Sequence, residues 1–198
     1  GQSSGSFIHL FRDRRRALRY LMCIAMGIPI WYSVGMLITL SPEIAASSGV
    51  DTWKLPKAFA LFQVGVCVGD LSTGLLSQWL RTRRWVIVGG MVLAIIATVG
   101  YFLAFASNGG SYMACLFMGL GCGYLSVFAT ATSEHFGTNL RVLVTATVTN
   151  FMRGSVTIMI PLHQALKQQP GLGTIGSLVA IGCCVWALAL FSALRLPD

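Results

Sequence analysis

One carboxylate stands inside an otherwise apolar run and sets the chemistry open to this chain. The stretch is GDLSTGLLSQWLRTRR, Gly69 to Arg84. Asp70 lies 11 residues before Arg81, so on a helix rising ~1.5 Å per residue it sits roughly 16 Å from the basic cluster Arg81, Arg83 and Arg84. That depth is near the midplane of a bilayer, where a carboxylate is costly and marks a functional site. Gln63, Asp70 and Ser77 recur every seven residues and share one helical face. Asn150, Arg153 and Thr157 share a face of another helix. Together these residues offer acceptors, donors and one cation at a common depth. An aspartate in such a place can load and release a proton when burial disfavours its charged form. The plainer reading is a structural ion pair, Asp70 with Arg153, that neutralises both. Tyr32 and Tyr124 complete the candidate substrate or proton-coupling set.

The elements that must hold these groups are long and apolar. The chain has 198 residues, of which 55% are hydrophobic and 10% charged; soluble domains carry about 25% charged residues. Six runs have the ~20-residue length of a membrane-spanning helix. They fall at about 17–40, 57–80, 85–106, 111–132, 140–163 and 173–194. The fold class is therefore an all-α membrane protein with six transmembrane helices. Residues 1–16 form a polar, then strongly basic lead or linker. Pro29 predicts a kink in the first span. Ser41 to Pro56 reads as a polar loop, and the third span as lipid-facing. In the fourth span Gly119 and Gly123 make a GxxxG pair, which predicts close helix packing or a local bend.

The formal net charge of +8 is a statement about topology, not about nucleic acid. One side of the spans holds Arg12, Arg14, Arg15, Arg16, Arg19, Arg81, Arg83, Arg84, Arg141 and Arg195. The other holds only Lys54, Lys57 and Lys167. Basic residues accumulate on the cytoplasmic side, which predicts a cell-membrane protein with both termini in the cytoplasm. An even number of spans requires the termini to share a side, and the two inferences agree. The lipid bilayer is the first partner implied. All six cysteines fall in apolar runs without a metal-type pair, and read as small buried thiols. His9, His135 and His163 are too scattered to bind a metal. No HExxH, GxSxG or P-loop motif occurs, so no enzyme and no cofactor is expected.

The hydropathy pattern has an internal symmetry. In each triplet of spans the second holds the mid-membrane ionisable residue, Asp70 in one and Arg153 in the other. The second span runs inward and the fifth outward, which predicts two inverted three-helix repeats.

At this point the chain resembles the C-terminal half, a six-helix domain, of a major facilitator superfamily transporter. GLLSQWLRTRR, Gly74 to Arg84, resembles the superfamily's loop motif of a glycine, an acidic residue and clustered basic residues. Gln78 stands where the acidic residue is expected, and the spacing to the arginines slips by one. SEHFGTNLR resembles the segment between the fourth and fifth helices of a half, with Glu134, Gly137, Thr138 and Arg141 matching. The resemblance implies half of a secondary active transporter moving a small polar solute by alternating access, with proton coupling, as in a symporter. It implies a gate on the cytoplasmic side in which Glu134 engages Arg81, Arg83, Arg84 or Arg141. It also implies a partner, either a second copy in a homodimer or a missing N-terminal six-helix half. The alternative is a six-helix membrane channel or scaffold with purely structural buried charges.

Overall fold

The computed structural model describes residues 13–107, 112–134, 136 and 138–196. Most of the lead at 1–16, residues 108–111, and His9, His135 and Gly137 lie outside the described residues.

Every described element is helical. Helix α1, Arg14–Tyr32, starts where the Asp13 carboxylate accepts the amide of Arg15 at 3.0 Å. It runs through Pro29 and widens into a π-helical turn, Ser33–Ile38. Proline has no N–H to give to the preceding turn, and the wider register begins four residues beyond it. The Leu37 carbonyl in that turn accepts from the Tyr101 hydroxyl at 3.0 Å. A short helix α2, Ser41–Ser47, occupies the start of the expected polar loop, with Pro42 in its first turn. Then follow α3, Leu55–Leu80, and α4, Arg84–Ala106. The fourth span is two helices, α5, Tyr112–Cys122, and α6, Leu125–Glu134. Helix α7, Thr138–Lys167, is longer than expected and passes through Pro161. Helix α8, Gly173–Arg195, ends the described chain.

Six helical segments are long and apolar enough to cross a membrane. The expectation of a multi-pass helical membrane protein holds at that level. Helices α1 and α5 are central. Helix α3 packs on α5, α7 on α1, α4 on α5, α8 on α1, and α4 touches α8. This leaves α3 and α7 the least covered of the spans.

The α3–α5 contact is a backbone-to-backbone approach made by glycine. A Cβ at Gly65 or Gly69 would strike the backbone of Leu116 or Leu120. One at Gly119 or Gly123 would strike the backbone of Phe62 or Gly69. Small residues at four-residue spacing on both helices are what permit this. The Thr73 hydroxyl closes the seam, donating to the Gly123 carbonyl at 2.6 Å.

The expectation for the cysteines needs correction. Cys23, Cys115 and Cys122 are buried, but Cys67, Cys183 and Cys184 are exposed. An apolar run is not a buried run in a bundle whose outer faces meet lipid. The third span likewise splits, with Ile96 and Leu103 outward and Met91, Tyr101 and Phe105 inward.

Candidate functional site

Asp70 sits on α3 one residue beyond Gly69, so the glycine seam brings it against the fourth span. That span breaks at Gly123 and Tyr124, and α6 begins just past the break. The first amides of a helix have no partner within it. Asp70 supplies one: its Oδ1 accepts the backbone N–H of Ser126 at 3.0 Å. The carboxylate thus caps, from another helix, the second half of a broken span. Its charge also faces the positive end of the α6 dipole. The cue for this was present in GLGCGY, because a glycine-rich break inside an apolar span leaves amides that something must satisfy.

The expected ion pair between Asp70 and Arg153 is not formed, and Asp70 has no ion pair among the described residues. The reason is the packing order. Helix α7 lies on α1, not on α3, so the Arg153 guanidinium meets α1 and stacks on the Trp31 ring, 5.2 Å from its centroid. Gln63, Asn150, Arg153 and Thr157 are exposed on α3 and α7, while Asp70 and Ser77 are partly covered. Tyr32 and Tyr124 are not on those faces. Both are fully buried, with Tyr32 donating to the Leu178 carbonyl at 2.7 Å and Tyr124 to the Met26 carbonyl at 3.0 Å. A buried phenol needs a hydroxyl partner, and backbone carbonyls of α8 and α1 meet that need. These tyrosines bind helices together and are not open to a solute in this conformation.

At the arginine-rich end of the bundle, two turns and the end of α8 converge. Arg83 forms an ion pair with Glu134, joining the α3–α4 turn to the end of α6. Arg84 donates from Nη2 to the Leu194 carbonyl near the end of α8. Arg141 Nε donates to the Ser133 carbonyl at 3.1 Å. Arg81 makes the turn itself, with φ of 53°, a left-handed conformation that no other described non-glycine residue adopts. A cavity of about 360 Å³ lies among Arg81, Arg83, Arg84 and Glu134, with Met26 and Ile87 as apolar wall.

The opposite, lysine-bearing end holds a cluster that sequence spacing did not bring forward. Glu43 on α2 pairs with Lys167 at the end of α7. His163, one turn earlier, is fully buried; its Nδ1 meets the Ser177 hydroxyl at 2.8 Å and its Nε2 lies 3.9 Å from Glu43 Oε1. Glu43 and Lys167 are 124 residues apart, so nothing local in the sequence couples them. Just before α3 the Trp53 ring stacks on the Tyr112 ring at 4.3 Å, and the Lys57 ammonium lies over that Tyr112 ring.

Six apolar spans, a mid-span carboxylate and charged ends define a multi-pass helical membrane protein. No protein-family model, curated protein or solved structure matches the chain.

Proposed function

We propose that the chain is one six-helix half of a secondary active transporter of the major facilitator type, moving a small polar solute with proton coupling at Asp70. The observation that carries this reading is the Asp70 carboxylate, mid-span, holding the Ser126 amide at the break of the fourth span. Discontinuous helices near the midplane are where secondary transporters place substrate and coupling-ion sites. A proton on Asp70 removes the negative charge facing the α6 dipole and loosens the two halves of the span from α3. Charge state and helix geometry are thereby linked.

Three further features support it. First, each packing contact has a counterpart when spans one to three are exchanged with four to six: α3 on α5 answers α7 on α1, and α4 on α5 answers α8 on α1. That is the pattern expected of two inverted three-helix repeats. Second, the Arg83–Glu134 pair ties two helix ends together and fits a gate on the side crowded with arginine, read as cytoplasmic. Third, Gln63 and Asn150 are exposed on α3 and α7, and Arg153, although stacked on Trp31, is exposed as well and forms no ion pair among the described residues. Uncovered polar groups at mid-membrane depth are costly, so a second copy or another six-helix half covers them in the working transporter. The channel or scaffold reading draws on one observation, that the Asp70 bond also serves simply to hold the fold.

Proteoliposomes loaded with a pH-sensitive dye separate the two. Challenged with a panel of sugars, amino acids and small organic ions, the transporter gives saturable, solute-dependent proton uptake that Asp70→Asn abolishes. Non-saturable leak, or no response to any solute by well-folded protein, overturns the transporter reading.

A further inference from the structure

We propose that the cavity at the arginine-rich end is a binding site for a phosphate group, carried by a lipid headgroup or a soluble phosphate ester. The assignment goes beyond solute transport and does not depend on it. The cavity is lined by three guanidinium groups and one carboxylate, an excess of two positive charges within about 360 Å³. Arginine suits a phosphate because its planar fork matches two oxygens at once. Each arginine has a defined state. Arg83 is engaged by Glu134. Arg84 is anchored through Nη2 to Leu194, while its Nε is buried and has no hydrogen-bond partner among the described residues. A guanidinium at the cavity wall that is already anchored by a backbone carbonyl is preorganised for an anion. Arg81 is exposed, and the strained turn holds it beside the other two. Helix α4 starts at the same place without a side-chain cap, and its N-terminal amides add positive potential. The apolar wall of Met26 and Ile87 accepts the carbon stem of a phosphate ester.

Glu134 is the competitor. A phosphate entering the cavity meets Arg83 already paired, so binding exchanges one anion for another at that guanidinium. The site therefore reports on, and opposes, the Arg83–Glu134 contact.

Isothermal titration of the full chain in uncharged detergent tests this, with dihexanoyl phosphatidic acid and glycerol 3-phosphate as probes. Saturable binding of the lipid alone assigns a headgroup site; comparable binding of both assigns a soluble phosphate site; both support the proposal. Arg84→Gln weakens binding about tenfold or more. Because that change also removes the Leu194 contact, two others accompany it. Arg81→Gln alters an exposed side chain with no hydrogen bond or ion pair among the described residues and weakens binding several-fold, and Ala131→Leu fills the cavity with the charges kept. Glu134→Gln tightens binding several-fold, while Asp13→Asn at the same end leaves it unchanged. No saturable heat with either probe overturns the site. So does an equal loss on Arg15→Gln, which lies outside the cavity, because the attraction is then diffuse.

Discussion

Asp70 combines a carboxylate's two capacities, accepting an amide and carrying a proton, and substitutions separate them. Asparagine keeps an oxygen for the Ser126 N–H but cannot be charged. In the complete transporter Asp70→Asn is expected to lose gradient-driven accumulation and keep solute counterflow, since only coupling needs the proton to leave. Wild-type accumulation by this variant would reduce Asp70 to a capping residue. Alanine removes the acceptor too, and Asp70→Ala costs about 1–2 kcal/mol, the usual loss of a helix cap. The Arg83–Glu134 pair behaves differently. Its side chains are 36% and 51% exposed, so Glu134→Gln changes stability by only ~0–1 kcal/mol. Its effect belongs on rate and on the balance of conformations, and an unchanged transport rate would leave a screened surface pair. At the other end, His163 is buried against Ser177 and Glu43. His163→Ala leaves a void and strips polar groups of a partner, at about 2–3 kcal/mol in thermal unfolding.

The α3–α5 seam shows how one helix positions another. Its glycines are not turn residues; both helices run through them, and what they supply is the absence of a Cβ. Gly119→Ala puts a methyl group against the Phe62 backbone, which cannot rotate away as a side chain can. The helices must separate, and with them Asp70 and the α6 amides. A loss of about 1–3 kcal/mol follows from overpacking, together with weakened coupling at Asp70. Gly74→Ala on the same α3 is the control. A Cβ there meets nothing within 4 Å, so helix propensity alone acts and the variant gains up to about 1 kcal/mol. Equal effects of the two substitutions, measured by thermal unfolding in one detergent, would mean the seam is not tightly packed. The fourth span is interrupted within the same seam: Gly121 lies against Ala94 of α4, Gly123 lies against Gly69 of α3, and the helix breaks at Gly123 and Tyr124.

Across the bundle, cover is unequal. Helices α1 and α5 are wrapped by neighbours, whereas α3 and α7 carry Gln63, Asn150 and Arg153 outward beside Leu71, Leu75 and Ile158. Apolar side chains are at home in lipid; the polar ones are not. The functional particle is therefore expected to contain more than one six-helix unit. Cys67, exposed on α3 one turn before Asp70, reports on this without engineering, and Cys183 and Cys184 on α8 are its reference. In the assembled particle a membrane-permeant maleimide should label Cys183 and Cys184 but not Cys67, and dissociation should expose Cys67. An active monodisperse monomer with Cys67 freely labelled would end the argument for a covered face.

Length and hydropathy alone mark the six spans, because a helix that satisfies its own backbone and exposes apolar side chains is a local solution, available to each run separately. The same local logic marks Asp70 as the anomalous carboxylate and places Glu134 and the arginines at one end, where Arg83 meets Glu134. Local reasoning stops where helices choose neighbours. It paired Asp70 with Arg153 by depth, but depth is one coordinate of three, and α7 lies against α1. It put Tyr32 and Tyr124 at a site, although each phenol is fully buried with its hydroxyl on another helix's carbonyl. A stretch that reads as a polar loop holds α2, which carries Glu43 to Lys167, and His163, unremarkable by spacing, is buried beside them. Hydropathy reports how far a residue sits from water and is silent on direction around the helix axis. Only packing, decided by the glycine seam and the buried tyrosines, selects which faces meet and which carboxylate finds which amide.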